Sequence, residues 1–169
     1  MFLLQDLPDE QVITHAQAIH GQFNRQGLLL FLQILKTGSD LLNNLDQFLS
    51  KYNLKHGRWI TLVLLQREPS QTSSPSELAK KQGITRATMT NLLNSLENDL
   101  YIERIEHPTD ARATNVKLTR KGRNLLKNIM PRYYQAINQL TAECSTKQLK
   151  DTQKMLNLIS GKSEEIFSQ

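Results

Sequence analysis

The stretch that most limits what this chain can fold into is "SPSELAKKQGITRATMTNLLNSLEND", residues 74–99. It holds two helix-start signals with one stop signal between them. Ser74 can cap, Pro75 suits the first helical position, and Glu77 falls three residues after the cap, which completes a capping box. The short helix "PSELAKKQ" is predicted to stop at Gly83, and Thr85 caps a second helix almost at once. On a wheel of about 100° per residue, Met89, Leu92, Leu93, Leu96 and Leu100 gather on one side and are expected to face a core. The other side shows Ala87, Thr90, Asn91, Asn94 and Asn98, with Arg86 near the first turn and no carboxylate before Glu97. Two helices joined through a tight glycine turn predict a helix-turn-helix.

The flanking segments extend this unit. Downstream, the β-prone runs "YIERIE" and "TNVKLT" bracket the polar tip of a predicted hairpin, which holds Pro108, Asp110 and Arg112. Upstream, "GRWITLVLLQRE" reads as a helix over 57–68 closed by Pro69, followed by a Pro/Ser-rich loop. A short helix over 8–21 is expected to start at Pro8, and a long one covers about 27–52. In the long helix Leu28, Leu35, Leu42 and Leu49 recur every seven residues, with Phe31, Ile34, Leu41, Leu45, Phe48 and Tyr52 on flanking lines. So wide an apolar surface predicts burial against more than one neighbour. After Thr119, read as a cap, a second long helix should be kinked by Pro131. A last helix over 146–166 carries Leu149, Leu156, Ile159 and Ile166 as a stripe with no partner in the chain.

Charge narrows the class of partner. The net charge is +5, and the excess of Lys and Arg lies in the middle of the chain, where residues 57–123 hold eleven against seven Asp and Glu. That distribution fits a polyanion. Cys144 is the single cysteine, so no disulfide within the chain is expected. The start "MFLLQDLPDE" is acidic where a signal peptide would be basic, and "GLLLFLQIL" is too short to span a bilayer. The expectation is a cytoplasmic protein with no membrane partner. His15, His20, His56 and His107 form no spaced ligand pair, so no metal and no cofactor are expected. No Ser-His-Asp arrangement, paired-carboxylate motif or phosphate-cradling glycine loop stands out, which argues against an enzyme.

The polar face of the second helix suits a major groove, where carboxylates would be repelled by phosphate while Asn and Thr meet base edges. An ordinary solvated face is the alternative, although such faces more often carry Glu and Lys pairs. At the hairpin tip Arg112 could enter a narrow minor groove, held by Asp110 two residues away. A plain surface turn is the alternative there.

With these pieces in place, residues 74–122 resemble the winged helix-turn-helix core of the MarR family of bacterial transcription regulators. The sharpest pieces are "SELAKKQGITRATMTNLLNSLE", "HPTDARATNVKLT" and "LTRKG". The resemblance implies a mainly α (α+β) fold, a winged helix-turn-helix with a β-hairpin wing plus long N- and C-terminal dimerisation helices. The implied divisions are 1–56, 57–122 and 123–169. It identifies residues 85–94 as similar to the family's recognition helix, Arg112 to its wing arginine and Asp110 to its orienting aspartate. The DNA-contacting set expected on this basis is Ser74, Ser76, Thr85, Arg86, Ala87, Thr88, Thr90, Asn91, Asn94, Asp110, Arg112 and Lys117.

The resemblance further implies a homodimer, double-stranded DNA as partner, and a repressor acting on pseudo-palindromic operators. A small aromatic or lipophilic effector would release it, from a junction drawing on Arg25, His56, Arg58, Trp59 and Tyr133. Trp59 reads equally as a core residue, and Cys144 as an inert side chain. The competing reading is a winged-helix protein-interaction or nucleoid-scaffold module without operator specificity.

Overall fold

The computed structural model describes residues 6–106 and 114–167. Contacts divide the chain into two units, Met1–Thr119 and Arg120–Gln169. The described part of the first unit holds α1 (Glu10–His20), α2 (Arg25–Ser50), α3 (His56–Arg67), β1 (Thr72–Ser73), α4 (Pro75–Gln82), α5 (Arg86–Asn98), β2 (Ile102–Glu106) and β3 (Thr114–Leu118). The second holds α6 (Arg120–Leu140) and α7 (Thr146–Phe167).

Local start signals decide most helix beginnings, with two shifts from expectation. The Asp9 carboxylate, and not Pro8, opens α1 by accepting from the Val12 N–H at 2.9 Å. A carboxylate caps better than a proline because it satisfies an orphan donor and meets the positive helix end. Asn24 caps α2 through the Gly27 N–H at 2.9 Å, which starts that helix two residues early. The helix-turn-helix signals hold as expected. Ser74 Oγ accepts from Glu77 N–H, Thr85 Oγ1 accepts from Thr88 N–H, and Gly83 sits at φ 67, ψ 35. Glycine alone takes that left-handed conformation without a Cβ penalty, so α4 can end and α5 begin within three residues.

One cap comes from far along the chain. Lys55 precedes α3 and offers no side-chain cap, and Asp46 on α2 accepts the His56 N–H at 2.6 Å. A carboxylate at the positive end of α3 thereby ties the long helix to the lobe that follows.

The sheet has strand order β1-β3-β2, antiparallel throughout. Strand β1 was not legible in the Pro/Ser loop. Two residues carry no period, and they become a strand only because β3 offers a ladder, Thr72 opposite Lys117 and Ser73 opposite Val116. Ile102, Val116 and Leu118 from the sheet are buried, as are Trp59, Leu62 and Leu65 of α3, Leu78 of α4, and Met89, Leu93 and Leu96 of α5. Leu92 is half-buried.

Leu100 departs from expectation. The helical period stops at Asn98, and Leu100 takes φ 62 and is 65% exposed instead of joining the core face. Its N–H and that of Tyr101 close the helix end on the Glu97 and Leu96 carbonyls. An L-residue pays about 1–2 kcal/mol for this conformation, and so exposed a side chain returns little burial. Leu100→Gly is therefore expected to stabilise the chain by about 0.5–1 kcal/mol after the added unfolded-state entropy of glycine. Thermal unfolding by circular dichroism checks this; a lower melting temperature would mean that Leu100 makes a contact the single chain does not contain.

In the second unit, α6 runs unbroken as one helix through Pro131. Its buried residues are Gly122, Leu126 and Ile129, all in its first half. Beyond them Tyr134, Ile137 and Leu140 are exposed, and no described residue of α7 is buried. In the first unit, Leu49 is the one described residue of the 26 in α2 that is buried. These long amphipathic helices thus leave much apolar surface uncovered in the single chain.

Candidate nucleic-acid interface

The N-terminal turn of α4, the outer face of α5 and the base of the β2–β3 hairpin meet around one hollow. Ser74, Pro75, Ser76, Arg86, Thr90 and Thr114 line it, with a volume of about 380 Å³. Thr114, at the edge of this hollow, pairs with Glu106 at the last described rung of the hairpin. The hairpin stem is thus as expected. Its tip, with Asp110, Ala111 and Arg112, lies outside the described residues.

Several hydroxyls of the expected DNA-contacting set already have work within the chain. Ser74 and Thr85 cap α4 and α5, and the hydroxyls of Ser76 and Thr88 lie 3.0 and 2.9 Å from those same caps. Thr90 Oγ1 donates back to the Arg86 carbonyl at 2.9 Å. That bond uses the one hydroxyl proton of Thr90 and leaves its methyl and a lone pair to offer outward. Arg86, Ala87 and Asn91 are exposed on the same helix.

Asn94 is held from the neighbouring strand. Arg104 on β2 donates through Nη2 to Asn94 Oδ1 at 2.7 Å and through Nε to Glu97 Oε2 at 2.9 Å. Its guanidinium therefore pairs with the first carboxylate that α5 presents and fixes an amide one turn before it. Arg104 was missed in the sequence. The signal was strand parity: Ile102 and Arg104 lie on one face, and that face turns toward α5. The same parity sets Lys117 apart from these residues. Lys117 stands opposite Glu103, whereas Arg104 stands opposite Val116, so Lys117 is on the far face of the sheet from α5.

Arg25 and His56, both expected at an effector junction, lie near opposite ends of α2. Arg25 begins α2 and reaches back to the Glu10 carbonyl and the Thr14 hydroxyl of α1. His56 is tied to Asp46 near the other end of α2. From Arg25 to Asp46 the helix rises about 31 Å at about 1.5 Å per residue, so Arg25 cannot share a small-molecule site with His56 in the same protomer. Arg58 forms an ion pair with Asp99, donates to the Asn53 carbonyl at 3.2 Å, and lies 5.9 Å from the centre of the Tyr101 ring. It braces the start of α3 against the end of α5. Trp59 is 1% exposed. Tyr133 belongs to the second unit, where its ring tilts against Tyr134.

Among the described residues no group of three or more His, Cys, Asp or Glu side chains could hold a metal ion. No described helix is long and apolar enough to cross a membrane.

The arrangement of a capped helix, a glycine turn, an exposed polar helix and an adjoining hairpin agrees with what sequence comparison finds. The model of the MarR family matches residues 52–113, a little over a third of the chain. Over that region the chain resembles the MarR family. The chain is 28% identical over 153 residues to the transcriptional repressor YetL of Bacillus subtilis, covering 90% of this chain and 92% of YetL. It is 29% identical over 139 residues to the transcriptional repressor MprA of Escherichia coli, covering 82% and 79%. Its fold matches that of Sco3205, a MarR family regulator from Streptomyces coelicolor solved in complex with DNA. The TM-score is 0.76 at 23% identity, over 82% of this chain and 88% of the other. Both of these curated relatives are transcriptional repressors.

Proposed function

We propose that this regulator acts as a homodimeric repressor that binds a pseudo-palindromic DNA operator and leaves it when a small aromatic or lipophilic effector binds. The observation that carries the proposal is the convergence of the polar face of α5, the α4 N-terminus and the hairpin base on one hollow. A major groove accepts a helix of that character, and Arg86 at its first turn can meet a phosphate wall. The hairpin would place Arg112, oriented by Asp110, in the adjoining minor groove. Two solved proteins of the same fold were determined in complex with DNA, which supports DNA as the partner. The uncovered apolar surfaces of α2, α6 and α7 support two-fold pairing, which would set two half-sites about 34–36 Å apart.

Selection of random DNA fragments by the purified protein, followed by sequencing, tests the proposal. A two-fold symmetric consensus is expected. Arg112→Ala should then weaken binding to that consensus by about 1–3 kcal/mol, more on A·T-rich flanks than on G·C-rich ones, because narrow A-tracts concentrate negative potential. Equal losses on consensus and random DNA would reduce the wing to an electrostatic anchor. Enrichment of no consensus would favour a scaffold without operator specificity.

A further inference from the structure

We infer that Arg104 is a specificity-positioning residue: by holding the carbonyl of Asn94 it turns that side chain into a hydrogen-bond donor and biases α5 toward guanine over adenine. The inference deepens the operator proposal and rests on it.

An asparagine amide in a major groove is ordinarily ambivalent. Its NH2 donates and its carbonyl accepts, the pairing that matches adenine N7 and N6. Here Arg104 Nη2 lies 2.7 Å from Asn94 Oδ1. A guanidinium has donors only, so the contact fixes which end of the amide faces the strand. The guanidinium is itself fixed, because Nε donates to Glu97 Oε2 at 2.9 Å. Glu97 lies three residues after Asn94 on α5, so two side chains of one helix face grip one fork. The Asn94 NH2 is what remains to point outward from an exposed side chain.

A charged donor on the carbonyl has two effects on the amide. It occupies one lone pair and makes the other a poorer acceptor for an approaching adenine amine. It also draws electron density from the nitrogen, so the NH2 becomes a stronger donor. A donor-biased amide meets two acceptors on guanine, O6 and N7, but one acceptor beside a competing amine on adenine. The same fork also neutralises the Glu97 carboxylate, which would otherwise repel phosphate at this end of the helix.

The test compares wild type, Arg104→Lys and Asn94→Ala by selection from random DNA, with binding to the resulting sites measured by titration. Lysine keeps the charge but lacks the fork that reaches Asn94 and Glu97 together. Wild type is expected to prefer guanine over adenine about fivefold or more at one base pair in each half-site. Arg104→Lys should bring that ratio near one with the rest of the consensus intact, and Asn94→Ala should erase the preference at the same base pair. Circular dichroism melting verifies that the variants are folded; should Arg104→Lys be unfolded, Glu97→Gln, which loosens the same fork, is expected to lower the ratio in the same direction. A consensus unchanged at that base pair in the folded variant overturns this inference alone, as does an equal loss over all bases in Asn94→Ala. A wild type that enriches no consensus overturns the operator proposal and this inference with it.

Discussion

Replacing Leu35 and Leu42 together by glutamate is expected to halve the mass of the protein in solution, from twice 19.4 kDa to 19.4 kDa. The two leucines stand seven residues apart on α2, two turns of one face, and Leu42 is 49% exposed in the single chain. A two-fold interface counts each substitution twice, so four carboxylates would enter a surface built for leucine. Losing the leucine burial and leaving carboxylates unpaired should together weaken association by about 4 kcal/mol or more, roughly a thousandfold in Kd. The fold of each chain should survive, because these side chains are uncovered there and glutamate forms helix nearly as well as leucine. Analytical ultracentrifugation at micromolar protein reads the mass, and far-ultraviolet circular dichroism reads the fold. An unchanged dimer would sink pairing through this face of α2. A monomer that still binds a two-fold operator with undiminished affinity would separate pairing from DNA binding.

Trp59→Ala is expected to cost about 3–5 kcal/mol of stability, a large share of the roughly 5–15 kcal/mol that holds a folded chain together. Trp59 is 1% exposed and among the largest fully buried side chains. Truncating it removes the transfer free energy of the indole and leaves a cavity that its neighbours fill only in part. For a chain of this size the melting temperature should fall by about 6–20 °C. Trp59→Phe, which keeps most of the volume, should cost far less. Circular dichroism is the probe, since the variants lack the single tryptophan. If Trp59→Ala melts within a degree or two of wild type, the side chain is not a core support, and its place as an effector contact returns.

What the sequence determined by itself is the local grammar of the DNA-facing lobe. Ser74, Pro75, Gly83 and Thr85 mark where α4 starts, where it stops and where α5 begins, because capping bonds reach only three or four residues along the chain. The helical spacing of Met89, Leu93 and Leu96 placed their buried face, because side chains three and four apart share one side of a helix. Contacts between elements decided the rest. The Asp46 cap on α3 and the Arg104 hold on Asn94 each join residues 10 apart, and the Arg58–Asp99 pair joins residues 41 apart. Helical or strand period carries no information about such pairs until the elements are docked. Leu100 shows the limit from the other side. Its spacing continued the apolar stripe of α5, but the helix had already ended at Asn98, and a period predicts a face only while the backbone keeps that period.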